Sequence, residues 1–193
     1  MKLTPRFEQA LVYAARLHAG QVRKVSNVPY LAHLLGTAAI ALQFGADEEQ
    51  AIAALLHDAV EDQGGLSRLA ELEKKFGARV AGIVAGCSDS FTQPKPPWRQ
   101  RKEAYLDQLP DKNKDTLLVS CADKIDNARS ILHDYRTAGE ALWDRFRGGK
   151  TGTLWYYNAL AKAYLKIPDF PIANALMEVV AQINDLAASQ VSV

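Results

Sequence analysis

At 193 residues, with 48% hydrophobic and 23% charged side chains, the chain is long enough to build one domain around a substantial core without cross-links. Its net charge of +1 excludes a general field for nucleic acid, so a phosphate-bearing ligand has to meet a local basic cluster, of which Arg23-Lys24 is the candidate. No apolar run approaches the ~18 residues of a membrane span. The N-terminus lacks a secretory core, and Cys87 and Cys121 are too few for a zinc knuckle, so a reduced, cytoplasmic protein is expected.

Apolar residues recur at three- and four-residue spacing along most of the chain with no alternating run, which predicts an all-α fold. Thr4 and Pro5 open a first helix, with Phe7, Leu11, Ala14, Ala15 and His18 on one stripe, ending near Gly20. A turn-rich stretch from Arg23 to Pro29 leads to a second helix, from about Leu31 to Phe44, stopped by Gly45. Asp47 and Gln50 form a capping-box pattern before AIAALLHDAVED, one helix ending at Gly64-Gly65. Helices from Ser67 to Phe76 and from Arg79 to Cys87 follow. The proline-rich stretch from Thr92 to Trp98 is expected to be a solvent-facing loop. RQRKEAYLDQL and KDTLLVSCADKIDNARSILHDY are both helical in pattern, and two or three more helices follow from about Thr137. With no repeat or linker, residues 1–193 are expected to form one compact helical bundle.

The chemistry concentrates in three segments. In HDAVED, four-residue spacing stacks His57 over Glu61 and Asp58 over Asp62. The doublet follows the apolar run IAALL, and carboxylates emerging from a buried segment are costly unless a cation compensates them. Mixed imidazole and carboxylate donors favour manganese, iron or zinc over calcium. RKVSNVPYLAH supplies a basic pair, a Pro-Tyr turn and His33 at a helix start, and CADKIDNARS places Asp123 and Asn127 one turn apart. His33, His57, Asp58 and Asp123 make a two-His, two-carboxylate set that leaves positions open for water and substrate.

These motifs, in this order, resemble the HD-domain hydrolases of the RelA/SpoT type, specifically the small stand-alone alarmone hydrolases of the metazoan SpoT-homologue kind. The resemblance spans about residues 4–166: Arg23-Lys24 through Pro29-Tyr30 to His33, His57-Asp58 through Glu61-Asp62, and Ala122-Asp123-Lys124 to Asn127. It implies a single HD hydrolase domain in which His33, His57, Asp58 and Asp123 bind one Mn2+ ion and Glu61 and Asp62 sit beside the attacking water. Arg23 would pack over the nucleobase, Lys24 face phosphate and Asn127 contact the nucleotide. Lys102 and Tyr156 align with a diphosphate lysine and a pocket tyrosine; Arg129 and Ser130 are further pocket candidates, and His18 buttresses the Arg23 loop. The implied reaction is hydrolysis of the 3′-diphosphate of ppGpp or pppGpp, the alarmones of the stringent response, to GDP or GTP and pyrophosphate.

The partners expected are a small-molecule nucleotide, no nucleic acid and no membrane, with homo-oligomerisation left open. The alternatives are an HD-type phosphohydrolase of NADPH, an adenosine alarmone or a nucleoside monophosphate, or a non-catalytic alarmone-binding protein. Two departures bear on specificity. The spacer between Lys24 and Pro29 is four residues, and Ile125-Asp126 adds a negative charge near a site meant for anions. At 193 residues, no synthetase domain like that of the bifunctional relatives is expected alongside the HD domain.

Overall fold

Thr4, Asp47 and Asn113 each cap the helix that follows them. In the computed structural model, which describes residues 2–23, 26–88 and 96–189, α1 spans Pro5–Leu17 behind Thr4, whose side chain accepts from the Arg6 N–H. A loop closed by an antiparallel bridge between Val22 and Pro29 leads to α2, Leu31–Gln43, beyond which Gly45 takes φ +86°. Asp47 and Gln50 form the expected capping box before α3, Glu48–Leu56. Then come α4 (Ala59–Gln63), α5 (Gly65–Phe76), α6 (Ala78–Cys87), α7 (Trp98–Gln108), α8 (Lys114–Ala138), α9 (Gly149–Leu165) and α10 (Ile172–Ser189). Short 3-10 turns at Leu109–Asp111 and Gly139–Arg145 flank α8. Among the described residues the Val22–Pro29 bridge is the sole β feature, and no helix is long and apolar enough to cross a membrane.

The 25-residue α8 is the axis of the bundle, packing against α2, α3, α6 and α10. It therefore buries several sides at once, through Val119, Cys121, Ala122, Ile125, Ala128, Ile131, Leu132 and Tyr135, instead of a single stripe. Every residue of α3 from Ala51 to Leu56 is buried. The apolar run read from the sequence is thus an interior helix pressed between its neighbours, and it delivers His57 and Asp58 where α2, α3 and α8 meet.

Two expectations need correction. HDAVED does not lie on one uninterrupted helix: α3 ends at Leu56 and α4 begins at Ala59, with Asp58 at φ −95°, ψ −3° between them. The backbone stays near helical, and the Asp62 N–H still donates to the Asp58 carbonyl at 3.0 Å, so the residues keep the expected side while the axis is broken at the doublet. Trp98 is the first residue of α7, not the end of a solvent-facing loop. Its ring lies so close to Gly148 that a Cβ there would stand 2.7 Å from it, and it meets Trp155 and Tyr156 edge to face. Residues 92–95 of the anticipated loop lie outside the described residues, as does Lys24.

Candidate metal centre and adjoining cavity

Three helices bring four side chains to one point. His33 comes from the first turn of α2, His57 and Asp58 from the break between α3 and α4, and Asp123 from the middle of α8. His33 Nε2 stands 3.5 Å from Asp58 Oδ2 and 3.2 Å from Asp123 Oδ1; His57 Nε2 stands 3.1 and 3.5 Å from the same two oxygens. Donors sharing one ion at about 2.1 Å and near right angles are separated by about 3 Å, so these His–Asp edges fit a shared cation, most closely at His33, His57 and Asp58, whose donor atoms all lie within 4.8 Å of one another.

The protonation pattern points the same way. His57 Nδ1 lies 2.8 Å from the Ala54 carbonyl, which can only accept, so Nδ1 carries the hydrogen. That leaves the Nε2 lone pair facing two carboxylate oxygens, and this buried nitrogen has no hydrogen-bond partner. Lone pairs turned on one another are tolerated only with positive charge between them. Burial alone would lower the pKa of both imidazoles, yet Asp58 and Asp123 push His57 well above its ordinary value. His33 rises to about 9 against the same burial, through hydrogen bonds to Asp123, Asp126 and Asp58. The same carboxylates that raise the imidazoles make the site attract positive charge.

An outer layer fixes the four donors. The Tyr30 hydroxyl donates to Asp58 Oδ2 at 2.5 Å, and the Lys124 ammonium donates to Asp123 Oδ2 at 2.5 Å, leaving Oδ1 turned to the imidazoles. The Asn127 amide also donates to Asp123 Oδ1, while its own oxygen accepts from Arg23 Nη2 at 2.8 Å. His33 Nδ1 lies 2.6 Å from Asp126 Oδ2, so the charge that looked adverse in the sequence is a partner of the histidine. Lys124 and Tyr30 carry no assigned role in the sequence reading, although both lie inside the motifs: Lys124 pairs with its own neighbour Asp123, and Tyr30 reaches Asp58 from 28 residues away.

A cavity of about 320 Å³ opens beside this cluster, lined by Arg23, Asp62, Asn127 and Tyr157 among others. Arg23 reaches it from the Val22–Pro29 loop, whose turn closes through Asn27 at φ +56°, a conformation that asparagine tolerates better than most residues. Asp62 is held by the Gln21 amide at 2.8 Å, and Gln21 is held by His18 Nδ1 at 2.7 Å. His18 stacks on Tyr30 with ring centroids 5.4 Å apart, so it does support the loop. Glu61 precedes Asp62 on α4 and is half-buried. Ser130 lines this cavity, and with Arg129 it lines a second one beyond Arg23. Tyr156 is buried behind the wall, with the Lys102 ammonium 4.9 Å above its ring. The α9 tyrosine that lines the cavity is the next one along, Tyr157, together with Phe146 and, from the end of the loop, Tyr30.

Comparison with known proteins identifies the family. Residues 10–153 match the HD domain family profile. The human guanosine-3′,5′-bis(diphosphate) 3′-pyrophosphohydrolase is 36% identical over 126 residues, covering 64% of this chain and 68% of that protein. A GTP pyrophosphokinase of Myxococcus xanthus is 34% identical over 134 residues, covering 65% of this chain but only 17% of its own length. Among solved structures, a metazoan ortholog of SpoT described as hydrolysing ppGpp superimposes with a TM-score of 0.78 at 25% identity, over 94% of this chain and 97% of that one. With three quarters of its residues inside the matched profile, the chain belongs to the HD domain family.

Proposed function

We propose that this protein is a Mn2+-dependent (p)ppGpp 3′-pyrophosphohydrolase, acting as a single HD hydrolase domain over residues 1–193 in the cytoplasm. The observation that carries it is the convergence of His33, His57, Asp58 and Asp123 beside a cavity lined by Arg23, Asn127 and Asp62, with Tyr30 and Asn127 bonding Asp58 and Asp123 from the cavity wall. A divalent ion held by those four donors would acidify a water and offset phosphoryl charge. Asp62 Oδ2 accepts from the Gln21 amide, and Oδ1 would take the proton of the attacking water, with Glu61 beside it. Water adds to phosphorus, the 3′ P–O bond breaks, and GDP or GTP leaves with pyrophosphate as the other product. The Arg23 guanidinium offers a flat cationic face to the base, and Asn127, a neutral amide, can bond ribose or phosphate without repelling either.

Asp134 on the same cavity wall supports guanine. Guanine presents an N1–H and an exocyclic amine side by side, and a carboxylate accepts both. Adenine sets an acceptor in one of those positions, leaving an unpaired contact. The kinship with the human pyrophosphohydrolase supports the same reading.

The test is direct. Purified protein with Mn2+ and guanosine tetraphosphate should release pyrophosphate and GDP, and kcat/KM should exceed that for the adenosine alarmone by about tenfold or more. A metal-loaded protein that releases no pyrophosphate overturns the assignment, and turnover of NADPH in its place would redirect it.

Metal entry has a proton signature as well. His33, raised to about 9 without a cation, must lose its proton when it becomes a ligand. Mn2+ titrated in at pH 7.5 should therefore release protons, seen as a heat that changes with the ionisation enthalpy of the buffer. Apparent affinity should rise with pH through about 9, since the His57 imidazole is raised as well and also has to give up a proton. A buffer-independent heat would contradict this.

A further inference from the structure

Asp126 is within reach of two parts of the site at once. Its Oδ2 lies 2.6 Å from His33 Nδ1 and 3.9 Å from Arg23 Nη1. The neighbouring residue, Asn127, accepts from the other terminal nitrogen of Arg23 at 2.8 Å. Two consecutive residues of α8 thus face both ends of one guanidinium, and one of them also fixes a histidine of the metal cluster.

Room for this carboxylate is supplied by α2. Gly36 lies one turn beyond His33, and a Cβ built on it would stand 2.1 Å from Asp126 Oδ1 and 2.9 Å from its Cγ. The conformation of Gly36 is ordinary helix, so the glycine is not needed for its backbone. It is needed for the space.

We propose that Asp126 is a positioning residue that sets the His33 imidazole for metal binding and draws Arg23 toward the nucleotide cavity, with Gly36 providing its seat. An acceptor on Nδ1 holds the hydrogen there, orients the ring and makes Nε2 a better donor. The imidazole and the guanidinium in turn offset the carboxylate, which removes the objection to a negative charge beside an anionic substrate. Metal ligand and base-binding arm are thereby fixed through one side chain. The Arg23 half of the inference rests on the proposed function; the His33 half does not, because it is read from Mn2+ binding alone.

Calorimetric titration with Mn2+, without nucleotide, should show Asp126→Ala weakening affinity by about tenfold to hundredfold while the thermal midpoint of the metal-free protein stays close to that of the unaltered chain. Asp126→Asn, which keeps an acceptor oxygen at the same place, should recover most of that loss. Gly36→Ala should weaken Mn2+ binding in the native background but add no more than about twofold to Asp126→Ala, because the atom it collides with is gone. With guanosine tetraphosphate, Asp126→Ala at saturating Mn2+ should raise KM more than it lowers kcat. Mn2+ affinity within about twofold of native in Asp126→Ala, or fully additive losses in the double variant, would overturn the proposal. If the affinities behave as stated but guanosine tetraphosphate is not turned over, the substrate assignment fails and the His33 pairing stands.

Discussion

Asp58→Asn should reduce kcat/KM for guanosine tetraphosphate by about a thousandfold or more, a loss of ~4 kcal/mol in transition-state stabilisation, while leaving the helical fold intact. Both imidazole Nε2 atoms face the Oδ2 of this residue, at 3.5 and 3.1 Å, and the Tyr30 hydroxyl donates to it. Asparagine keeps the volume and an acceptor for Tyr30 but removes the negative charge, so the cluster is left with Asp123 alone opposite two histidines. Mn2+ affinity should fall with activity, and saturating metal should restore only part of the rate. The alternative of a protein that binds alarmone without turnover makes the opposite forecast: nucleotide affinity and biological effect would survive the substitution. An Asp58→Asn enzyme within about tenfold of native turnover would remove this residue from the metal set.

The sequence made the site's inner layer readable because its members are short-range patterns. His57-Asp58 is a dipeptide, Arg23 to His33 is a single loop and helix start, and Asp123 to Asn127 is one helical turn. Helix ends were readable for the same reason: Thr4, the Asp47–Gln50 pair and Gly45 act within a few residues of themselves. What escaped is contact between distant segments. Gln21 to Asp62 is 41 residues apart in sequence and His33 to Asp126 is 93, and nothing local marks either pair.

Asp126 shows the limit well, since the same carboxylate reads as adverse charge in a string of residues and as the partner of a histidine in space. Tyr156 and Tyr157 show another. Successive residues on a helix are turned by about 100°, so an assignment off by one moves the side chain from the cavity wall into the core. The break of the helix at Asp58 was hidden because the apolar pattern continues through Ala59 and Val60, both buried on the far side of it.

Asp62→Asn should lower kcat by about a hundredfold to ten-thousandfold, the usual span for loss of a general base, with Mn2+ affinity unchanged. The separation of these two readouts is the point, because Asp62 lines the cavity and has no part in the contacts among His33, His57, Asp58 and Asp123. Its position is set by Gln21, whose amide oxygen is in turn shared by His18 and Gln63. Gln21→Ala should therefore give a smaller fall in kcat of the same kind, by letting the carboxylate wander from the water it orients. Glu61→Gln is the control from the same short helix. If Glu61→Gln is severe while Asp62→Asn is mild, the base is Glu61 and the relay through Gln21 is only a buttress for the loop. If both variants keep native kcat, neither carboxylate takes the proton, and the water must be activated by the metal cluster without help from α4. A severe Asp62→Asn with native Mn2+ binding would tie the proton transfer to the residue that the structure sets on the cavity edge.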